Sequence, residues 1–406
     1  MPLTRRAMLA LTTTPWLFPL NELMQDKTQR AHRIRGVELL PVRATTRTVW
    51  LFIRLSTDSG LTGLGEASDA FGFANTSLEQ ARRMEGEIRA YVEALNGRSP
   101  FDIEYHRAHG LARAGRGLLQ ATAYSAVEQA LWDLAGKIMG QPVYNLLGGK
   151  VRDILPVYAN INRVTQPRNP AGFAASAKQA VAEGFRAIKL APFDGFKREQ
   201  FTDPATSKPV LEGIACIAAV RNAVGPDVQV MIDAHSLFDV PLSISVAQKL
   251  EPYKLAWYEE PVAPEMTAET LAIKRAIRQP MAGGEMLFGA RGFAPLCRGQ
   301  AVDVIMPDVK HCGGVLEMSH IAALAALDGL TVAPHNPSGP VATAVSVHTC
   351  AGMANFHILE LQWGEVSWRR ELVTPAETFT GGNIAVPTGP GLGIALKDRV
   401  ARAHPL

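Results

Sequence analysis

The sequence has little of what stabilises small, secreted or membrane-bound proteins. Its four cysteines are scattered without a Cys-x-x-Cys spacing, so neither a disulfide framework nor a zinc site is expected. The net charge is only +3 and basic residues form no long run, which argues against the concentrated cationic face that binds nucleic acid. After the N-terminus no apolar run is long enough to span a bilayer. The composition, 47% hydrophobic and 19% charged over 406 residues, is that of a globular protein with two or three domains.

The N-terminus carries a candidate targeting signal. Thr4-Arg5-Arg6 precedes a mildly apolar, uncharged run that extends to Leu20. Paired arginines before such a run are typical of a twin-arginine export signal, although no clean small-x-small cleavage site follows. We interpret residues 1–27 as an export leader, with a frayed amphipathic segment as the alternative. Export would place the protein in the periplasm, free of the membrane; otherwise a cytoplasmic location is expected.

The rest of the chain divides into two regions of different pattern. Residues 33–70 alternate apolar and polar positions between glycine turns, as antiparallel strands do, and helical spacing follows. After residue 150, eight short apolar runs alternate with helical stretches, the pattern of a parallel (β/α)8 barrel. The sequence therefore predicts an α/β protein: an α+β capping domain over 33–150, a TIM-type barrel over 151–369 and a tail over 370–406 that returns to the capping domain.

Polar or ionisable residues end most of the predicted barrel strands. In chain order they are Lys189, Asp233, His235, Glu259, Glu285, Asp308, His335 and Glu360. The C-terminal ends of barrel strands form the active-site mouth, so these side chains are expected to converge. Asp233, Glu259 and Glu285 follow one another at intervals of 26 residues, which puts three carboxylates on adjacent strands. Because such carboxylates repel one another without a cation, and because an all-oxygen site suits Mg²⁺, the pattern predicts a magnesium site.

Two histidines flank this predicted metal site. His335 lies 27 residues after Asp308, one strand–helix unit, so Asp308 can accept from the imidazole and orient it as a general base. His235 lies two residues beyond Asp233, and on an extended strand it would face the same mouth. An acid and a base on opposite sides of a metal-bound molecule are the arrangement that an elimination needs.

Longer motifs resemble the enolase superfamily and, within it, the mandelate racemase and muconate lactonizing enzyme family. They are EQALWDLAGK from Glu128, PVYNLLGG from Pro142, WYEEP from Trp257, MPD from Met306 with Gly313-Gly314, and GPGLGI from Gly389. The resemblance implies Mg²⁺-assisted removal of the proton α to a carboxylate, giving an enediolate, with Asp233, Glu259 and Glu285 as ligands. It favours the first glutamate of the Glu259-Glu260 pair, and it implies a homo-oligomer.

Lysine positions narrow the choice within the family. Racemases and several dehydratases carry Lys-x-Lys at the end of strand 2, but Lys189 is followed two positions later by Ala191. Muconate cycloisomerases use a lysine at the end of strand 6, where this chain has His311, although Lys310 is adjacent. Both departures weaken the case for a lysine acting as a base.

Two histidine motifs are most similar to the D-galactonate dehydratase group. They are Asp233-Ala234-His235 and the segment from His335 to Pro340. The resemblance implies dehydration of a sugar acid, an aldonate or aldarate, to a 2-keto-3-deoxy acid, with His335 as base and His235 as acid. Lys189 would stabilise the enediolate and Glu360 would donate or accept a proton at the carboxylate edge. The alternatives are a racemase or epimerase with paired histidine bases, and a non-catalytic sugar-acid binding protein.

The resemblance assigns substrate selection to three loops. Two belong to the capping domain, near residues 43–48 and 68–76, and the third follows strand 2, from Pro192 to about Lys208. The third loop is longer than an ordinary strand–helix connection and rich in polar residues. It is either a substrate lid or an exposed insertion.

Overall fold

The computed structural model describes residues 32–71 and 76–406. The predicted leader over residues 1–27 lies outside the described residues. Within the described part of the chain, no helix has both the length and the apolar character needed to cross a membrane.

The first region is the predicted α+β domain. Strands β1 (Ile34–Arg43), β2 (Val49–Thr57) and β3 (Thr62–Glu66) form an antiparallel sheet, as expected. Helices α1 (Leu78–Leu95), α2 (Ile103–Ala114), α3 (Leu118–Met139) and the short α4 (Val143–Leu146) follow. Helix α1 begins after Ser77, because the Ser77 and Gln80 side chains form a reciprocal capping box.

Two glycines allow helix α3 to lie against strand β3. A Cβ atom at Gly63 would be 2.2 Å from the Ala130 carbonyl oxygen, and one at Gly65 would be 2.1 Å from that of Ala126. Only glycine permits so close an approach of two backbones. Helix α3 therefore forms the buried centre of this domain.

The second region is the predicted barrel of eight parallel strands. They are β4 (Ile154–Asn160), β5 (Ala187–Leu190), β6 (Gln229–Asp233), β7 (Trp257–Glu259), β8 (Met281–Gly283), β9 (Val304–Ile305), β10 (Thr331–Val332) and β11 (Leu359–Gln362). Each strand from β4 to β9 pairs in parallel with the next. Strand β11 pairs with β4, and a bridge between Val332 and Phe356 closes the ring.

Helices occupy the connections between the strands, as the helical stretches predict. They are α5 (Pro170–Ala182), α6 (Lys208–Val224), α7 (Val240–Leu250), α8 (Thr267–Ala276), α9 (Gly289–Arg298), α10 (Gly314–Leu327) and α11 (Pro340–Ala351). The long loop before α6 carries two short 3₁₀ turns, Arg198–Gln200 and Pro204–Thr206.

Inward-facing apolar residues fill the barrel and fix the direction of the residues above them. One core cluster takes a member from each of the eight strand segments: Tyr158, Ala187, Met231, Trp257, Ala282, Val304, Met306, Ala333 and Ile358. Side chains two residues apart on a strand share a face. Asn160, Lys189, Asp233, Glu259, Asp308, His335 and Glu360 each lie two positions after a member of this cluster. The strand pleat therefore carries them to the C-terminal mouth of the barrel.

The C-terminal tail, which the sequence predicts to return to the capping domain, contacts both regions. A hairpin of β13 (Phe379–Thr380) and β14 (Asn383–Ala385) adds to barrel strand β4. Further along, the Gly391 carbonyl accepts from the Val143 amide at 2.9 Å in the capping region. Strands β12 (Val373–Thr374) and β15 (Ala395–Leu396) pair, and α12 (Asp398–Ala403) ends the chain.

Candidate active site

Three carboxylates meet at the mouth of the barrel. Asp233 and Glu259 stand opposite each other in the paired strands β6 and β7, and Glu285 follows the end of β8. One oxygen from each lies within 4.8 Å of the others, and all three side chains are buried. The structure thus brings together the three residues that the sequence singled out as metal ligands.

The cluster has the donors and the electrostatics of a metal site. Burial, followed by repulsion from Asp233, raises the pKa of Glu285 and of Glu259 well above the ordinary glutamate value. The buried Oε2 of Glu285 finds no hydrogen-bond partner among the described residues. A cation among these oxygens would relieve the repulsion and supply the missing partner, so the residues present fit a metal ion.

Glu260 makes different contacts from its neighbour Glu259. Its Oε1 accepts from the backbone amides of Gly284 and Glu285, at 2.6 and 3.2 Å. Burial raises the pKa of Glu260 to about 7, although the hydrogen bonds from these two amides lower it. Its carboxylate therefore holds the turn that carries Glu285 and stays outside the three-carboxylate cluster.

Lys189 is a buried cation beside the cluster. Its Nζ lies 2.9 Å from Glu259 Oε1, 3.6 Å from Asp233 Oδ2 and 3.2 Å from Glu360 Oε1. Burial opposes the charge, but Glu259 and Glu360 raise the pKa of Lys189 well above its ordinary value. The ammonium is therefore charged at neutral pH and is not a base.

Glu360 lies behind Lys189, with both of its oxygens already accepting hydrogen bonds. Oε1 accepts from Asn160 at 2.6 Å, and Oε2 accepts from the Asn336 amide at 2.9 Å. Burial alone would raise its pKa, but Lys189 and His335 lower it. These contacts hold an ionised carboxylate beside the Lys189 ammonium. The role of Glu360 in proton exchange at the substrate carboxylate stays a prediction.

His335 and Asp308 form the predicted pair at the ends of β10 and β9. His335 Nδ1 lies 2.8 Å from Asp308 Oδ2, and Nε2 lies 3.2 Å from Glu285 Oε2. An ionised carboxylate only accepts, so Nδ1 carries the hydrogen. Burial would raise the pKa of Asp308, but Lys310, His311 and His335 outweigh it and keep the carboxylate ionised. The Nε2 edge of His335 is thus turned towards the carboxylate cluster.

His235 reaches the same cavity by a different route from the one predicted. The strand ends at Asp233, and His235 has a left-handed backbone with φ of 47°, so the assumption of an extended strand is wrong. Its amide donates to Asp233 Oδ1 at 2.8 Å, which makes the turn. Its Nε2 lies 3.2 Å from Asp233 Oδ2. Burial opposes protonation, but Asp233 and Asp194 raise the pKa of His235 well above its ordinary value.

A cavity of about 430 Å³ opens above these residues. Lys189, Asp233, His235 and His335 contribute to its wall, with the two imidazoles beside the first and last carboxylates of the cluster. Arg47 and Asp194, which also line it, lie in two of the loops that the sequence analysis assigned to substrate selection, whereas it gave no role to four further lining residues: Asn160, Asn162, Arg163 and Arg168. Asn160 could have been found, because it follows the inward-facing Tyr158 by two positions, as the other site residues follow theirs.

Comparison with known families covers almost the whole described chain. Residues 31–148 match the mandelate racemase/muconate lactonizing enzyme N-terminal domain, and residues 172–400 match the enolase C-terminal domain-like family.

Individual relatives and solved structures agree with these family matches. The D-gluconate dehydratase of Thermoproteus tenax is 32% identical over 362 residues, which cover 87% of this chain and 69% of that protein. The D-galactonate dehydratase of Ralstonia pickettii is 32% identical over 360 residues, covering 86% and 89%. The crystal structure of a mandelate racemase/muconate lactonizing enzyme from Jannaschia sp. CCS1 superimposes with a TM-score of 0.82 at 30% identity, covering 92% and 98%.

Proposed function

Since the chain belongs to the mandelate racemase/muconate lactonizing enzyme family of the enolase superfamily, we propose that it is a hydro-lyase that converts a sugar acid to a 2-keto-3-deoxy acid. The observation that carries the proposal is the placement of two imidazoles on either side of one carboxylate cluster. Removal of water needs a base at C2 and an acid at the C3 hydroxyl, and this arrangement provides both. Relatives that act on D-gluconate and D-galactonate support the substrate class.

Mg²⁺ is the metal we infer for the carboxylate cluster. Asp233, Glu259 and Glu285 offer only oxygen donors, which Mg²⁺ prefers over softer metals. When bound there, the ion would polarise the substrate carboxylate and offset the negative charge that develops on it.

His335 is positioned to take the C2 proton. Its Nδ1–H is held by Asp308, so its Nε2 lone pair is the one available to a substrate. Lys189, fixed by Glu259 and Glu360, supplies a permanent positive charge beside the carboxylate group of the substrate. Because this charge is already in place, the site need not reorganise as negative charge builds up on the substrate. Such preorganised charge is usually the largest contribution to transition-state stabilisation.

His235 is positioned to protonate the leaving hydroxyl. It lines the same cavity as His335 and contacts Asp233, at the opposite end of the carboxylate cluster. Proton removal at one end and proton delivery at the other give an enol, which becomes the 2-keto-3-deoxy acid. The same two imidazoles would also serve a hydroxy-acid epimerase, which is the second candidate.

The test is a screen of Mg²⁺-loaded protein against aldonic and aldaric acids in D₂O. We expect 2-keto acid from at least one of them, with loss of activity in excess EDTA. His335→Asn should lower both keto acid formation and C2 deuterium uptake by about 10²–10⁴-fold, the usual contribution of a general base. His235→Asn should retain deuterium uptake and lose keto acid. The exposed His320 on α10 supplies the control variant His320→Asn.

Two results of this screen would contradict the proposal. Deuterium uptake without keto acid in the unmodified protein would indicate an epimerase. Neither signal with any sugar acid would remove the assignment to this substrate class.

A further inference from the structure

The imidazole of His235 is held from its outer side by Asp194. Asp194 lies in the loop after β5, and its Oδ1 is 2.6 Å from His235 Nδ1. The other ring nitrogen, Nε2, is 3.2 Å from Asp233 Oδ2. Because an ionised carboxylate can only accept, Nδ1 carries a hydrogen and the ring cannot flip without losing this bond. Asp194 thereby turns Nε2 towards the carboxylate cluster.

Asp194 is itself fixed by two residues of the loop between β4 and α5. Its Oδ2 accepts from Arg168 Nη2 at 2.9 Å and from Asn162 Nδ2 at 3.1 Å. Arg168 also donates to the Asn162 carbonyl and side-chain oxygens, at 2.6 and 2.7 Å, and to the Ala191 carbonyl at 2.7 Å. Oδ1 of Asp194 therefore binds the His235 imidazole, and Oδ2 binds Arg168 and Asn162, which anchor the carboxylate.

We propose that Asp194, anchored by Arg168 and Asn162, is the positioning residue for His235, so that the site contains a second histidine–aspartate pair on the side of the leaving group. The proposal rests on the proposed dehydratase function. It parallels the pair of His335 and Asp308, in which a carboxylate also binds Nδ1 and leaves Nε2 facing the cluster. The loop after β5 then contributes directly to the chemistry and is more than an exposed insertion.

The step that depends on this pair is cleavage of the C3–O bond. After His335 has taken the C2 proton, the electron pair left at C2 forms the C2–C3 double bond. The C3–O bond breaks with its electrons on oxygen, which takes a proton from His235 Nε2 and leaves as water. The enol then tautomerises to the 2-keto-3-deoxy acid. A fluoride at C3 would leave with its electron pair without needing that proton.

Asp194→Asn tests the proposal with two leaving groups. The substrates are the sugar acid found active with the unmodified protein and its 3-deoxy-3-fluoro analogue. We expect keto acid formation from the hydroxyl substrate to fall about 10²-fold or more, since general acid catalysis contributes about 10²–10⁴-fold. Formation from the fluoro analogue and C2 deuterium uptake should each change less than about threefold, because neither uses the acid. Asp203→Asn is the matched control, because Asp203 lies in the same loop and its carboxylate hydrogen-bonds within the described part of the chain to Thr206 alone.

Other outcomes would overturn the proposal. An equal loss with both leaving groups and in deuterium uptake would mean that Asp194 only maintains the structure of the mouth. An unchanged rate with the hydroxyl substrate would mean that His235 needs no such partner. Failure of the proposed function itself is recognisable separately, because the unmodified protein would then show no elimination, whether or not it takes up deuterium.

Discussion

Lys310 is a buried cation that joins the two domains next to the candidate base. Its Nζ lies 3.2 Å from Asp308 Oδ2 in the barrel and 3.1 Å from Asp69 Oδ2 in the capping region. Burial opposes its charge, but these carboxylates raise the pKa of Lys310 above its ordinary value. Arg163 lies 3.6 Å from the other oxygen of Asp69. The ammonium therefore balances the carboxylate that orients His335.

Lys310→Met tests how much this cation stabilises the fold. The variant leaves the buried carboxylates of Asp308 and Asp69 without their shared counter-charge. Breaking a buried ion pair by removing one partner costs about 3–5 kcal/mol of unfolding free energy. Urea unfolding should show a loss of that size, and the double variant Lys310→Met/Asp69→Asn should recover part of it.

Lys208→Met is the matched control for this change. The Lys208 side chain is 85% exposed, and its Nζ lies 3.6 Å from Glu212 Oε1 in an exposed ion pair. Its replacement should alter stability by less than about 0.5 kcal/mol. Similar small effects at positions 208 and 310 would contradict the interpretation of Lys310 as a buried counter-charge.

Single residues show where sequence reasoning succeeds and where it stops. The spacing of Asp233, Glu259 and Glu285 predicts their convergence, because each follows from one strand–helix repeat. The sequence could not decide which of Lys310 and His311 faces Asp308, since both follow the strand. In the structure both approach it: Lys310 Nζ lies 3.2 Å and His311 Nε2 3.8 Å from Asp308 Oδ2, and His311 Nδ1 lies 2.8 Å from the Thr122 hydroxyl.

At the scale of elements, strands were easier to interpret than the loops between them. An inward apolar residue followed two positions later by a polar one marks six strand ends, from Ala187 and Lys189 to Ile358 and Glu360. That rule depends only on the pleat and can be applied to a sequence. The contact of Asp194 with His235 joins two loops 41 residues apart, and no periodicity encodes it.

The two domains are also joined through the N-termini of barrel helices. The Glu128 carboxylate on α3 accepts from the amides of Val315 and Leu316, at 2.8 and 3.0 Å, at the start of α10. Glu66 does the same for α11, accepting from Gly339 and Ala342. Both helices follow strand ends that carry site residues. Negative charge at a helix N-terminus is favourable, so the capping domain stabilises the barrel at the mouth.

Glu128→Ala measures this contact between the domains. The change leaves the buried Val315 amide and the partly buried Leu316 amide of α10 without an acceptor, and each unsatisfied group costs about 1–3 kcal/mol. We expect urea unfolding to show a loss of about 3 kcal/mol. Glu212→Ala, on the exposed face of α6, should change stability by less than about 0.5 kcal/mol. A Glu128 variant as stable as that control would mean that water replaces the carboxylate at the helix start.

For the molecule as a whole, buried titratable groups make stability depend on pH in opposing directions. Burial lowers the pKa of His106, His311 and His348 to about 4 each, from an ordinary value of 6.5. The unfolded chain then binds more protons than the native one below pH 6.5. These three histidines therefore lower the free energy of unfolding as the pH falls from 6.5 towards 4. Burial raises the pKa of Glu128 and Glu260 to about 7. These two carboxyl groups therefore raise the free energy of unfolding as the pH falls from 7 to 4.5. The pH profile of the intact protein therefore cannot isolate one group, but a comparison of variants can.

His106→Gln isolates one of these histidines. His106 is stacked on Tyr124 in the capping domain and bonds to its carbonyl at 3.2 Å, a bond that a glutamine amide can also make. The native protein should be the more stable at pH 7.5, and its advantage over the variant should shrink by about 2 kcal/mol at pH 5.0, because protonation then favours only the unfolded histidine. Urea unfolding at the two pH values measures the difference. His109→Gln, exposed on the same helix, should show no such change. Equal advantages at both pH values would mean that His106 has the same pKa in the native and unfolded states, whereas burial of the stacked ring should lower the native value.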